Sequence, residues 1–306
     1  MGNTVLAGRT LFGVNTSGNP EIDLFAGILD VVSTQPPFRR RRLGRKLARM
    51  RTSADMTLDV AAQCLFKTRS ALHRIEKGET LVDVHLVKSM MDLYDAYDPG
   101  LVEETVRARE RGWWLSLGVE NQGYLDVETE AGEIREFCMA VVPGLLQTSE
   151  YTRAVFQAHP LQRTRRWLEA DLKVRRIRQK RLTDPENLLR LEAIIDESAL
   201  RRPVGGAETM REQLVHVVRM ADLPNVTIRV LSNERGAHSS MAGGFTVLNF
   251  PDAADPSVLY VEHPFGSLHM EEERLTVEAK VAFGHLANQA LSPEESVALL
   301  ERILTE

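Results

Sequence analysis

Residues 57–77, TLDVAAQCLFKTRSALHRIEK, are the stretch from which the rest of the chain can be interpreted. Thr57 and Thr68 are hydroxyl residues suited to cap a helix N-terminus, and apolar residues follow each of them at helical spacing. Only about three residues link the two apolar patterns, which is typical of a helix-turn-helix. The stretch therefore predicts two short helices that cross at a tight turn.

The second predicted helix, residues 68–76, carries hydrogen-bond donors on its outer face. Short and long donors near a helix N-terminus are what a major-groove reader needs. The residues predicted to contact base edges are Arg69, Ser70, His73 and Arg74. Thr68, Lys67 and Lys77 stand beside them and are predicted to contact phosphates, and Glu76 is the one acid at the end of this face. The alternative is an ordinary helical hairpin with a solvated charged face.

A further helix is predicted at residues 38–52, with Leu43, Leu47 and Met50 on its inner side. Its cations are predicted to lie on the outer side. Those predicted to contact phosphates are Arg39, Arg40, Arg41, Arg42, Arg45 and Lys46. For the run at 39–42, a merely solvated, solubilising stretch remains an alternative.

The charge of the chain is segregated along its length. The formal net charge is −5, yet residues 35–78 hold twelve Lys or Arg and three acids, a net charge of +9. The remainder of the chain must then carry −14. A basic module joined to an acidic body attracts a polyanion at one end and repels it at the other. This asymmetry favours the DNA-binding interpretation of residues 57–77.

Length and composition limit the remaining possibilities. A chain of 306 residues with 43% hydrophobic and 26% charged residues is typical of a soluble globular protein of two domains. Two cysteines are too few for a disulfide scaffold or a zinc ribbon. The chain has no apolar run long enough to cross a bilayer and no N-terminal signal pattern, so we expect a cytoplasmic, nucleoid-associated protein without a membrane partner.

Composition and periodicity divide the chain into four segments. Residues 1–36 are predicted to be an N-terminal extension, partly disordered, with a short helix. Residues 37–111 are predicted to be a mainly α, five-helix helix-turn-helix domain, and residues 112–123 a linker. Residues 124–306 are predicted to be an α+β domain, with strands at 189–195, 225–231, 244–250 and 258–262. Helices are expected mainly on one side of these four strands, and residues 125–139 are also predicted to be helical.

The ending of the helix-turn-helix stretch resembles that of phage-repressor-like (XRE-type) domains. Those domains continue from a serine- and arginine-rich second helix into Ile-Glu-x-Gly, which is here Ile75, Glu76, Lys77 and Gly78. The chain departs from that pattern at the turn, where Leu65 and Phe66 stand in place of the usual glycine. The resemblance implies a DNA-binding domain of five helices.

The rest of the chain resembles the WhiJ-like regulators of actinobacteria. The motifs that carry this resemblance are Gly112-Trp113-Trp114, the run 142–148, Asp196-Glu197 followed by Leu200-Arg201 and Gly205-Gly206, and Leu291-Ser292-Pro293. The resemblance covers about residues 37–306. It implies dimerisation through the large domain, a small BldB-like partner protein in an antitoxin-like pairing, and a role in developmental control.

The second domain contains a few candidate residues for chemistry. Glu197 and the pair Glu262-His263 end predicted strands, so these side chains are predicted to converge at one sheet edge as an effector pocket or acid–base site. Helix capping and surface ion pairs are the alternative. Because no HExxH, GxSxG or clustered metal-ligand motif occurs, we predict no enzyme, no catalytic residue, no metal site and no cofactor.

Three functional hypotheses follow. The first is a homodimeric transcriptional regulator that reads a near-palindromic, double-stranded operator through the helix 68–76. The second is an antitoxin-like interaction module that binds a small BldB-like protein and uses DNA binding for autoregulation. The third is a regulator whose second domain binds a small-molecule effector. The second and third are each compatible with the first.

Overall fold

The computed structural model describes residues 36–119, 123–158, 164–264 and 266–306. The extension predicted at 1–36 therefore lies outside the described residues, apart from Pro36. The described residues form a helical region followed by an α+β domain, which confirms the predicted fold class. None of their helices is both long enough and apolar enough to span a membrane.

The helical region consists of five helices. They are α1 (Phe38–Ser53), α2 (Leu58–Cys64), α3 (Arg69–Glu76), α4 (Val84–Leu93) and α5 (Pro99–Arg107). The predicted caps are confirmed, because the Thr57 hydroxyl accepts from the Val60 N–H and the Thr68 hydroxyl accepts from the Ala71 N–H. Leu72 and Ile75 of α3 pack with residues of α1, α2 and α4 in one apolar core. This core fixes which face of α3 points outward.

A glycine lets α1 approach the end of α3. A Cβ atom at Gly44 would lie 2.4 Å from the Glu76 carbonyl oxygen and 2.7 Å from that of Ile75. Both atoms belong to the backbone and cannot move away easily. Position 44 therefore requires glycine, and this close contact sets the distance between α1 and α3.

Among its described residues the α+β domain contains seven α-helices, two short helical turns and a six-stranded sheet. The helices are α6 (Tyr124–Glu130), α7 (Ser149–Gln157), α8 (Arg165–Lys180), α9 (Glu197–Arg201), α10 (Ala207–Ala221), α11 (Glu273–Gln289) and α12 (Pro293–Thr305), with short turns that include Gly144–Leu146. The strands are β1 (Glu133–Cys138), β2 (Arg190–Asp196), β3 (Val226–Leu231), β4 (Phe245–Asn249), β5 (Val258–His263) and β6 (Gly266–Met270). The order across the sheet is β3-β2-β1-β4-β5-β6, with β1, β2 and β3 parallel and the others antiparallel to their neighbours.

Two of the six strands were not predicted. The helix expected at 125–139 ends at Glu130, and β1 follows it in the centre of the sheet. Charged residues concealed the strand: Arg135 lies 3.3 Å from Glu133 and 3.5 Å from Glu192 on the neighbouring strand, so these charges pair across the sheet instead of facing solvent on a helix. The edge strand β6 has an irregular burial pattern and gave no alternation signal.

Helices cover both faces of the sheet, most of them on one face. Residues of α7, α10 and α12 pack with alternate strand residues such as Ile134 in the largest apolar core. On the opposite face, Phe283 and Leu286 of α11 pack against Phe137 and Ile194. The sheet is thus buried between two helical layers.

The first residue of α1 belongs to the core of the α+β domain. Phe38 is fully buried in the largest apolar core, and its ring stacks on Phe250 with centroids 4.6 Å apart. Its backbone N–H donates to the Asp126 carboxylate on α6. The helix-turn-helix and the sheet are therefore joined by packing as well as by the chain.

Candidate nucleic-acid interface

The residues predicted to reach base edges lie together on the open face of α3. Ser70 and His73 are exposed, and the side chains of Arg69 and Arg74 are 68% and 59% exposed. Arg69 lies 3.3 Å from Asp59 and Arg74 lies 3.4 Å from Glu79. Exposed pairs of this kind contribute little free energy, so both guanidinium groups can exchange these partners for DNA at small cost.

The cationic residues flanking α3 are also open to solvent. Lys67, in the turn before the helix, and Lys77, directly after it, are both exposed, and so is Thr68. All three lie at the ends of α3, where the sequence places the phosphate contacts. Their exposure leaves all three accessible to a ligand at the ends of α3.

Glu76 is not part of the donor face. Its side chain is only 7% exposed, and it forms two hydrogen bonds with Arg51 of α1, Nε to Oε1 at 2.6 Å and Nη2 to Oε2 at 2.9 Å. The expectation that Glu76 ends the outer face is therefore wrong. Glu76 follows the buried Ile75 and is itself buried at the end of α3. Its burial is tolerated because Arg51, 25 residues earlier in the chain, neutralises the carboxylate.

The turn before α3 has an unusual residue. Phe66 has φ of 52°, and the Lys67 N–H donates to the Ala62 carbonyl while the Phe66 N–H donates to that of Gln63. This is the Schellman arrangement that ends α2, and glycine is preferred at the residue with positive φ. The Phe66 side chain is 96% exposed, so apolar packing within the described residues does not compensate for the unfavourable backbone conformation.

The basic side of α1 faces the α+β domain instead of solvent. Arg39 hydrogen-bonds Glu130, Arg42 lies 3.0 Å from Asp255, and Lys46 lies 3.1 Å from Asp252. Arg41 and Arg45 both bind Glu271. The prediction of an outward-facing basic helix is wrong, because most of the acids that neutralise it belong to the α+β domain and are far along the chain from α1.

The proposed phosphate contacts on α1 are correspondingly occupied. Arg39 and Lys46 also bind Glu110 and Glu104 of the helical region, and Arg40 donates to the Ala108 carbonyl. All six predicted residues, Arg39 to Arg42 with Arg45 and Lys46, thus have partners within the chain. In this conformation five of the six, all except Arg40, bridge the helical region and the α+β domain through these pairs.

The three residues predicted to form an effector pocket do not converge. Glu197 accepts hydrogen bonds from Arg201, Ser232 and the Asn233 N–H, so its carboxylate is already satisfied. Glu262 and His263 are exposed at the end of β5. The two carboxylates share one sheet edge, but β1 and β4 separate their strands, a distance of about 14 Å at ordinary strand spacing.

Comparison with protein families gives two matches. Residues 122–302, more than half of the chain, match a family described as a domain of unknown function (DUF5753). Residues 42–105 match a helix-turn-helix domain, which indicates a DNA-binding regulator. No curated protein and no solved structure matches the chain.

Proposed function

Because the chain belongs to the DUF5753 family and carries a helix-turn-helix domain before the family's region, we propose that it is a sequence-specific transcriptional regulator. The observation that carries this proposal is the open face of α3. Arg69 and Arg74 project there from a capped helix that Arg51 and Glu76 hold against α1. In the proposed complex this face enters the major groove, and Arg69, Ser70 and Arg74 contact base edges.

The proposed active form is a homodimer in the cytoplasm that binds without catalysing a reaction. Two recognition helices about 34 Å apart would require a near-palindromic operator. Exposed apolar side chains support self-association: Val277 and Val281 lie on α11, and Leu268 lies on the adjacent edge strand β6. Membership of the WhiJ-like group and binding of a BldB-like partner remain predictions from resemblance.

Two substitutions distinguish base contacts from phosphate contacts. Replacing Arg74 with alanine should cost about 1–3 kcal/mol of discrimination at one position in each half-site, because a guanidinium can bind guanine bidentately. Replacing Lys77 with alanine should weaken binding to all duplexes alike and lower the salt slope by about 1. Binding of the full chain to a randomised duplex library at several salt concentrations measures both effects.

The control for this experiment is Arg211→Ala, an exposed cation on α10 far along the chain from the helix-turn-helix. This variant should bind like the wild type. We also expect two chains per selected operator, measured by the mass of the complex. Identical effects of Arg74→Ala and Lys77→Ala on all sequences would contradict the assigned roles, and absence of salt-sensitive duplex binding by the wild type would refute the proposed function.

A further inference from the structure

A groove of about 790 Å³ lies between the helix-turn-helix and the α+β domain. One wall is α1, a second is the C-terminal end of α3 with His73 and Lys77, and the third includes Ala254, Pro256 and Glu271 of the α+β domain. An occupant of this groove would therefore contact the recognition helix and the second domain at the same time.

The lining of the groove is predominantly cationic. Five Lys or Arg side chains contribute to it, against the two carboxylates of Glu76 and Glu271. Arg51 is already paired with Glu76, and Glu271 serves both Arg41 and Arg45. Arg49 is 3.8 Å from the buried Asp255, which also faces Arg42. The cations thus exceed the acids, and Lys77 adds a charge at the mouth.

Arg45 has donors without acceptors. Its Nη1 binds Glu271, but its Nε and Nη2 are buried and have no hydrogen-bond partner among the described residues. Burial, together with the neighbouring charge of Arg41, lowers the pKa of Arg45. Buried donors normally have partners, because an unmade hydrogen bond costs about 1–3 kcal/mol. Both nitrogens are closed to solvent in this conformation, although the Arg45 side chain is 27% exposed, so an anion reaches them only when the side chain turns toward the groove. The two adjacent N–H groups then match two oxygens of a phosphate.

We propose that this groove binds an anion of the phosphate class through the guanidinium group of Arg45, with Arg49 and Lys77 supplying further positive charge. A DNA backbone phosphate and a free phosphorylated small molecule share this chemistry. Binding of a DNA backbone phosphate rests on the proposed function, whereas binding of a free phosphorylated molecule does not. In either case the anion bridges the recognition helix and the second domain.

The first arm of the test uses inorganic pyrophosphate and the full chain in titration calorimetry. The variants are Arg45→Gln and Arg49→Gln, and the control is Arg211→Gln, an exposed cation of α10 that does not line the groove. Arg49 is 42% exposed, so its variant tests the site even if Arg45→Gln impairs folding. If the ligand is a free anion, pyrophosphate should bind the wild type and the control equally and each groove variant about tenfold more weakly, as expected for loss of a charged hydrogen bond.

The second arm measures duplex affinity of the same proteins at several salt concentrations. If the ligand is a backbone phosphate, each groove variant should lower duplex affinity and reduce the salt slope by about 1, while the control is unchanged. Unchanged binding of both ligands by both groove variants would overturn the proposal, as would equal loss in the control. If the wild type binds pyrophosphate but no duplex, the groove stands and the proposed function fails.

An independent observation concerns Phe66. The other non-glycine residues with positive φ in the described residues are Asp55 and Asp95, whose short polar side chains tolerate that conformation. Phe66 is a large apolar residue in the same conformation, almost fully exposed and directly before Lys67 and Thr68. We infer that its ring makes an apolar contact with DNA at the rim of the major groove, such as the methyl group of thymine. This inference rests on the proposed function.

Phe66→Gly and Phe66→Asn test it without disturbing the turn, because both residues tolerate positive φ. We expect the thermal midpoint to stay constant or rise, and the affinity for the selected operator to fall about tenfold with an unchanged salt slope, because no charge is lost. Operator affinity equal to that of the wild type in both variants would overturn the inference. The proposed function would survive that result if Arg74→Ala still relaxed base preference.

Discussion

Replacing Arg51 with alanine is expected to lower the free energy of unfolding of the helix-turn-helix by about 3–5 kcal/mol and to remove operator binding. The substitution leaves the Glu76 carboxylate buried beneath α3 without the guanidinium that now binds both of its oxygens. It also removes the donor to the Met56 carbonyl, which lies just before α2. The loss therefore affects both helices that the DNA-binding motif needs.

Chemical denaturation followed by circular dichroism measures the first effect, and duplex binding measures the second. The matched control is the double variant Arg51→Met, Glu76→Met, since replacing both partners of a buried pair with apolar side chains is often nearly neutral. The double variant should regain most of the stability lost in Arg51→Ala. Equal destabilisation of the two variants would show that packing, and not the uncompensated charge of Glu76, causes the loss.

Local patterns in the sequence were sufficient to predict the helix-turn-helix. Thr57 and Thr68 are caps, and residues at helical spacing such as Leu72 and Ile75 do form the core, because each signal depends on neighbours within one or two turns. Four strands were predictable for the same reason, since their apolar residues recur within a single segment. Once Leu72 and Ile75 are placed in the core, the helical repeat determines which residues of α3 face solvent.

The features that the sequence did not predict depend on partners far along the chain. Arg42 has the composition of a solvated or phosphate-binding cation, and only the fold brings it to Asp255, more than two hundred residues later. Glu76 was assigned to the surface because Arg51 could not be recognised as its partner. The prediction that Glu197 and Glu262 meet was wrong because it required neighbouring strands, and the order of strands across a sheet is not encoded in local sequence. The sequence shows where charged residues are concentrated, but it does not show which of them form ion pairs in the folded protein.

The buried carboxyl of Glu136 should make the stability of the α+β domain depend on pH. Glu136 lies on the central strand β1 and is 6% exposed. Burial raises its pKa from 4.5 to about 7, and the negative charge of Glu128 adds to the shift. The Cys138 thiol, which donates to Glu136 at 3.5 Å, and the cations Arg175 and Arg178 oppose it. The folded protein therefore holds this proton more tightly than the unfolded chain.

Because the pKa of Glu136 is higher in the folded state, its contribution to stability is fully present below pH 4.5 and is lost as the pH rises to about 7. A shift of this size corresponds to about 3 kcal/mol across that window. In Glu136→Gln, which keeps the shape of the protonated side chain, the free energy of unfolding should exceed that of the wild type above pH 7 and approach it near pH 4.5.

Denaturant titrations between pH 4.5 and pH 8 measure this difference. Burial also raises the pKa of Asp126 and Asp255, so the stability of the wild type has additional pH dependence. Both carboxyls are present in Glu136→Gln as well, so their contribution cancels in the difference between this variant and the wild type. An exposed carboxylate on the same domain, Glu186, supplies the control: Glu186→Gln should follow the wild-type curve at every pH. If Glu136→Gln runs parallel to the wild type throughout this range, Glu136 does not hold a proton in the folded state and the environment of β1 is more polar than its burial indicates.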